Sequence, residues 1–273
     1  MLLALPFIGH AQQTIYGDVN GDLEVNIADI NAVIGVIFDS TAITASADVN
    51  SDGEINIADI NIIIDIILGG ESSQDDHGDW VDLGLPSGTI WATRNVGASS
   101  PEDYGDYFAW GETAPKDYYD WSTYKWCNGV YYQLTKYCTK SSYGYNGFVD
   151  NKTELDPSDD AACAHYPGGR MPSREQIKEL CNSCTWQWTQ RNGVNGQLVT
   201  GPNGNTMFLP AAGNRWHESL YYAGSYSSYW SRTLYSSVPC SAYYLDFLSG
   251  NGGYWHYLRY DGFSVRAVRV TQN

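Results

Sequence analysis

From Asp48 to Asp59, side-chain oxygens recur at Asp48, Asn50, Asp52, Asn56 and Asp59, which are positions 1, 3, 5, 9 and 12 of one loop. A hard divalent cation such as Ca²⁺ takes about six to eight oxygens at flexible distances, and this spacing wraps the chain around one point. Gly53 at position 6 permits the sharp turn, and the backbone carbonyl of Glu54 at position 7 adds an oxygen. The same pattern starts thirty residues earlier at Asp18, with Asn20, Asp22, Glu24, Asn26 and Asp29 in the matching places. A single acidic turn is ordinarily a solvated loop. Two in register predict a duplicated Ca²⁺ site. Leu23 stands where the second loop has Gly53, which predicts a strained or weaker first site.

Each loop needs an element that holds its last ligand in place, and the apolar pattern supplies one. Ile27, Ile30, Val33, Ile34 and Ile37 answer to Ile57, Ile60, Ile63, Ile64 and Ile67. That periodicity predicts two amphipathic helices whose stripes bury against each other. The β-branched run Ile62–Ile64 is a poor helix former alone, so packing must hold it. This tandem loop–helix duplication, with Asp at position 12, resembles the type I dockerin module over roughly residues 16–70. The resemblance implies calcium binding and, in many relatives, capture of a cohesin. Such dockerins often carry Ser or Thr at positions 10 and 11, whereas this chain has Ile27, Ala28, Ile57 and Ala58. The missing hydroxyls, and helices without Lys or Arg, weigh against cohesin capture.

Composition narrows the function further. The chain has 273 residues and a formal net charge of −16, with no Lys or Arg before Arg94. A nucleic-acid partner needs a basic footprint, so it is not expected, and neither is polybasic membrane attachment. No run of about twenty apolar residues predicts a membrane span. Residues 1–11, apolar and ending in small residues, read as the remnant of a secretory signal whose start lies upstream. Export to the cell surface, a bacterial envelope, or the medium is therefore expected. Six cysteines fit an oxidising compartment; they allow 15 pairings, with Cys127–Cys138 across a hairpin preferred.

The organisation predicted is a calcium module at 14–70, a linker at 71–79 ended on its helix side by Gly69 and Gly70, and one aromatic-rich domain at 80–270. Every Trp lies from Trp80 onward. Strands are expected at 80–85, 89–93, 197–200, 206–209, 228–235, 242–248 and 263–270, with a core segment at 107–111. A helix should start at Ser173, which forms a capping box with Gln176. The fold class is α+β: a small all-α module followed by a mixed domain.

Six short runs then occur in order: WATRNVG (91–97), GDYFAWGE (105–112), GRMPS (169–173), FLPAAG (208–213), YWS (229–231) and GFSVR (262–266). Together they resemble the Fibrobacter-type major paralogous domain (FISUMP), similar to the C-type lectin-like fold. Ala267 stands where that family usually has Pro. The resemblance implies a ligand surface near the C-terminus, as in the lectin-like variable proteins diversified by retroelements.

No catalytic set is recognisable: there is no Gly-x-Ser-x-Gly elbow, no HExxH and no phosphate loop. Cys181 and Cys184 have CxxC spacing without a second pair, and Cys163 lies near His165. His165, His217 and His256 read as surface or packing residues. The acidic segment holding Asp150, Glu154, Asp156, Asp159 and Asp160 is a candidate third cation loop. The C-terminal segment 221–261 mixes Tyr and Trp with Ser, Gly and Asn, the chemistry of rigid aromatic anchors among adaptable polar groups. Trp230 and Tyr243 are assigned to the core. Tyr226, Tyr229, Tyr235, Tyr244, Tyr254, Trp255, His256, Tyr257 and Tyr260 are the candidate ligand residues, with 254–257 displayed on a short loop. The function expected is an exported, non-enzymatic binding protein for a protein or glycan ligand. A carbohydrate-active or surface-modifying enzyme is the alternative, and a purely structural surface protein a third reading.

Overall fold

The computed structural model describes residues 15–38, 45–49, 55–67, 80–166 and 168–270. The leader-like segment, Gly69 and Gly70, the linker, and Asn50, Asp52, Gly53 and Glu54 lie outside the described residues. The chain divides into two compact units, Met1–Asp79 and Trp80–Asn273.

In the first unit each loop runs into a helix, α1 (Ile27–Phe38) and α2 (Ile57–Ile67). Asp29 and Asp59 lie in the first turns, where a carboxylate faces the positive end of the helix dipole. Ile30, Val33, Ile60 and Ile63 form the shared core, completed by Val19, Ala47 and Val49. The expected stripes are wider than the buried seam. Ile27 and Ile57 are 68% and 65% exposed, and Ile37, Ile64 and Ile67 are exposed too. The core takes only Ile30 and Val33 of α1 and Ile60 and Ile63 of α2 as buried positions, so the rest of each stripe stays outside it or at its margin. Val19 and Val49, second in each loop, are buried in the same cluster.

The second unit mixes helix and sheet. Trp80–Asp82 (β1) and Thr89–Ala92 (β2) pair antiparallel, and Val268–Val270 (β11) joins the other edge of β2. Thr185–Arg191 (β3), Val194–Thr200 (β4) and Thr206–Pro210 (β5) form a meander, followed by a hairpin of Asn214–Trp216 (β6) and Ser219–Tyr221 (β7). Ser227–Leu234 (β8), Ser241–Phe247 (β9) and Gly253–Leu258 (β10) make a third sheet with β9 in the middle. Two helices complete the unit, Ala161–His165 (α3) and Arg174–Ser183 (α4). The Ser173–Gln176 capping box forms as the sequence predicts.

Four features depart from what the sequence led us to expect. β3 is a full strand that the Trp186/Trp188 alternation signalled weakly. Residues 263–270 are not one strand: Phe263 bridges Phe108 and Ser264 bridges Tyr229 before β11 begins. Residues 254–257 belong to β10, an edge strand, rather than to a loop. None of the cysteines is paired, including Cys127 and Cys138. The Cys127 thiol approaches the Trp121 carbonyl and Cys138 the Lys140 carbonyl, so the two side chains serve separate turns.

The six ordered runs are where the core is tied together. Trp91, Trp110, Trp230, Phe208 and Phe263 are all buried. The Trp110 indole donates to the Ser231 carbonyl at 2.8 Å and the Trp230 indole to that of Phe108 at 2.8 Å. Arg266 is buried and donates to Asn95 Oδ1 (2.9 Å) and to the carbonyls of Ala92 and Phe208 (both 3.0 Å). One guanidinium thereby joins three distant runs.

Candidate functional site

The first loop is built from its own carboxylates. Asp18 Oδ1 accepts from the Gly21 amide (2.8 Å) and Oδ2 from that of Leu23 (2.9 Å). Asn20 Oδ1 accepts from the Asp22 amide, and Asp22 Oδ1 from that of Glu24, both at 2.9 Å. Asp29 is fully buried; its Oδ1 accepts from Val19 (2.9 Å) and Asn20 (3.1 Å), its Oδ2 from Asn26 (2.9 Å). Helix α1 thus clamps both rims of the loop through one side chain. Asp59 repeats this, taking the amides of Val49 (2.8 Å) and Asn56 (2.9 Å), and is equally buried. Tyr16 donates to the Val49 carbonyl at 3.0 Å, and burial, with the Asp59 charge, pushes its phenol pKa up.

These residues fit a cation by charge and capacity. A carboxylate offers about four lone-pair sites, so three amide bonds leave Asp29 able to accept more. Residues 1–79 contain no Lys or Arg to set against these charges, and a cation from solution would relieve them. Among the described residues no three His, Cys, Asp or Glu side chains converge tightly enough to hold a metal alone. The first loop mixes carboxylates with the amide oxygens of Asn20 and Asn26. Leu23 holds a left-handed φ of 70°, as a position that suits glycine would demand.

The acidic segment of the second unit is a different case. Asp156 and Asp159 pair with Lys136 at 2.7 and 2.5 Å, and Lys152 adds to Asp156 at 2.5 Å. Hydrogen bonds from Lys136 and Lys152 pull the Asp156 carboxyl down to about 2. Asp150 accepts from the amides of Tyr137 and Cys138, and Asp160 caps α3. Here the neighbouring charges on Asp156 and Asp159 come from lysines of the same unit, a source that the first loop's sequence does not have. Burial raises the thiols of Cys181 and Cys184 to about 12 and about 11, so neither is a thiolate near neutrality.

The candidate ligand residues separate by strand parity. Trp255 pairs across to Tyr244, and Gly253 to Asp246. With Tyr257, and with Ser228 and Trp230 of β8, these point to one face of the sheet. Tyr254 and His256 point to the other. There Arg174 of α4 lies over Tyr243 (4.7 Å) and Tyr254 (5.5 Å), and His256 stacks on Tyr235 at 3.7 Å. Tyr243, assigned to the core, is only half-buried beneath that arginine. Tyr229 is a correction: it is 1% exposed, and its hydroxyl donates to the Pro210 carbonyl at 2.9 Å. Tyr260 is also buried, accepting from the Trp216 indole and packed on Trp121.

On the first face, Tyr226, Tyr244 and Tyr257 line a cleft of about 370 Å³, and Trp255 is 63% exposed beside them. Tyr222, Asn214, Ser225, Ser228, Leu248 and Phe263 complete the lining, and none of these six is among the candidates from sequence. The only local signal was the Tyr/Gly/Ser mixture of 221–226. Parity in 253–258 would have separated Trp255 and Tyr257 from Tyr254 and His256, had the strand been recognised. Nearby, Asp261 is buried with no partner at Oδ1, and burial raises its carboxyl to about 8. His165 lies 2.6 Å from the Thr113 carbonyl and His217 packs at a tilt against Trp216, so both serve as surface or packing residues, as the sequence suggests.

Among the described residues no helix is long and apolar enough to cross a membrane. No curated protein and no solved structure matches the chain. The loop–helix repeat, however, does have a family counterpart: residues 16–68 match the model of the Dockerin type I domain.

Proposed function

We propose that the protein is an exported, non-enzymatic binding protein. Its dockerin-like unit is stabilised by Ca²⁺, and its second unit is a C-type lectin-like domain of the FISUMP kind that presents a ligand face. Type I dockerin domains typically bind calcium and occur in extracellular or cell-surface proteins, which supports export. Asp18, Asn20, Asp22, Asn26 and Asp29, with the Glu24 carbonyl, would hold one ion. Asp48, Asn50, Asp52, Asn56 and Asp59, with the Glu54 carbonyl, would hold the second. The ions would neutralise carboxylates that otherwise repel, so their role is structural.

A dockerin match implies a protein partner for the first unit. Position 10 of each loop presents an exposed isoleucine, Ile27 or Ile57, in place of a hydroxyl. A cohesin that reads hydroxyls should therefore bind weakly.

One observation carries the ligand reading: Tyr226, Tyr244 and Tyr257 converge on one cleft with Trp255 exposed on the same face. Rigid aromatic area beside small polar groups is how paratopes and sugar platforms both work, so a protein or glycan ligand fits. Screening the full chain against protein and glycan arrays identifies the ligand. Trp255→Ala should then cost about 2 kcal/mol or more of affinity with folding stability nearly unchanged. Unaltered capture by this variant would reject the face as the binding surface.

A further inference from the structure

The cleft on this face has a chemistry specific enough to select a ligand. Its wall is a run of rings: Tyr222 meets Tyr226 edge-on at 6.2 Å, and Tyr226 and Tyr244 share a hydroxyl contact at 3.3 Å. Tyr244 meets Tyr257 at 6.3 Å. Phe263 adds a further aromatic surface. The polar contribution is small and uncharged: Asn214, Ser225 and Ser228. The volume of about 370 Å³ lies at the lower end of the roughly 300–1,000 Å³ usual for small-ligand sites.

Two features mark the cleft as more than a packing gap. Ser228 belongs to the cleft lining and is only 1% exposed, and its Oγ is a buried hydroxyl without a partner of full hydrogen-bond geometry. The Tyr226 hydroxyl lies beside it and is already shared with that of Tyr244 at 3.3 Å. A buried hydroxyl left unpaired is costly, and a ligand hydroxyl would satisfy it. Tyr222 is 66% exposed and holds a left-handed φ of 60°, where glycine or asparagine would sit freely. Its carbonyl accepts from the amides of Ser225 and Tyr226, both at 3.0 Å, which fixes the strained turn. A bulky ring kept in that conformation and turned to solvent points to use rather than to packing.

We propose that this cleft binds an uncharged pyranose, the terminal hexose of a neutral glycan. The inference rests on the reading of this face as a binding surface and narrows it to one ligand class. A pyranose has an apolar C–H face to lie on tyrosine rings and an equatorial ring of hydroxyls to meet Ser228, Asn214 and the phenols. An anionic sugar finds no Lys or Arg in the lining, and Asp246 borders Tyr226 and Tyr244. A quaternary ammonium would suit the rings but can neither donate to nor accept from Ser228. A purely apolar ligand leaves the same hydroxyl unpaired.

The test uses the full chain with methyl hexopyranosides of the gluco, galacto and manno series in saturation-transfer NMR. Neutral, sialylated and sulfated oligosaccharides on an array, and tetramethylammonium, complete the set. At least one neutral hexopyranoside should receive transfer at its ring C–H protons. Tyr222→Gly should weaken that binding by about tenfold or more, with the melting temperature unchanged because glycine suits the φ. Binding should persist in EDTA, since the lining offers no Asp, Glu, His or Cys to a metal ion. Binding of charged sugars alone, of tetramethylammonium alone, or of a neutral sugar indifferent to Tyr222→Gly would overturn the proposal. Capture of a protein that Trp255→Ala abolishes and Tyr222→Gly leaves intact would overturn the pyranose while sparing the binding face. If neither variant alters capture of any ligand, both readings fall.

Discussion

The two units put their repeated or ordered motifs to opposite uses. In the first, the residues that recur every thirty positions are the ones that would touch the ion. Asp29 and Asp59 hold the loop amides with the same geometry, and Val19 and Val49 fill the same place in the core. In the second, the ordered runs disappear into the interior. Trp91, Trp110, Trp230 and Arg266 tie strands together, while the cleft is lined by residues outside those runs apart from Phe263. Motif residues are chemistry where all the ligands lie in one loop. They are scaffold where a site draws on several strands.

The sharpest way to break that contrast is through Arg266. Arg266→Met removes the donors to Asn95, Ala92 and Phe208 and leaves three buried acceptors unpaired. We expect a loss of about 3–5 kcal/mol in urea unfolding, with ligand capture by any folded fraction unchanged. A loss below about 1 kcal/mol would mean that the run is not structural.

The first unit should respond to ions instead. With Ca²⁺ at about a hundred times its Kd, removal by chelation should cost about 2.7 kcal/mol per site. Hydrogen exchange should then rise across residues 16–68 and stay constant in the aromatic unit. Asp59→Ala should abolish the heat of one site in titration calorimetry. Metal-stripped protein that gives no heat with Ca²⁺ would remove the loops from consideration.

Asp261 tests how far burial rather than ligation governs the second unit. Its folded pKa of about 8 lies above the ordinary value of 3.8, so the folded state keeps a proton that the unfolded chain releases. Stability from this group is full below about pH 4, falls as pH rises toward 8 and is level above it. The slope is at most about 1.4 kcal/mol per pH unit. Asp261→Asn should flatten it, leaving the variant up to about 5 kcal/mol more stable than the parent at pH 8 and nearly equal at pH 4. Parallel pH profiles in urea would show that the carboxyl is solvated.

Legibility in the sequence followed the same divide. The repeated acidic loops, both helix starts and the Ser173 cap are local patterns, and the chain could declare them. The outer isoleucines misled because a periodicity of 3.6 does not reveal where a partner helix ends. In β10, four consecutive aromatic or His residues hide a period of two, since both faces of the strand are aromatic. Tyr229 and Tyr226 have the same side chain three residues apart, and only the fold makes one a core brace and the other a cleft wall. Free cysteines defeat pairing arguments from spacing, because a turn carbonyl can occupy each thiol.

The smallest expected effect concerns position 6 of the loops, where the first repeat has Leu23 and the second Gly53. Leu23 occupies a left-handed conformation that costs an ordinary residue about 1–2 kcal/mol, and its side chain is exposed, so no packing compensates. Glycine removes that strain but raises the entropy of the unfolded chain by about 0.5–1 kcal/mol. Leu23→Gly should therefore stabilise the unit by only about 0.5 kcal/mol in the absence of ions. The larger share should appear on binding, because a loop free to settle around the ion no longer works against its own turn. Calorimetry should show the first site tightening toward the second. Unchanged first-site affinity in Leu23→Gly would mean that the two loops differ for a reason outside the turn, and the repeat would be less symmetric than its spacing implies.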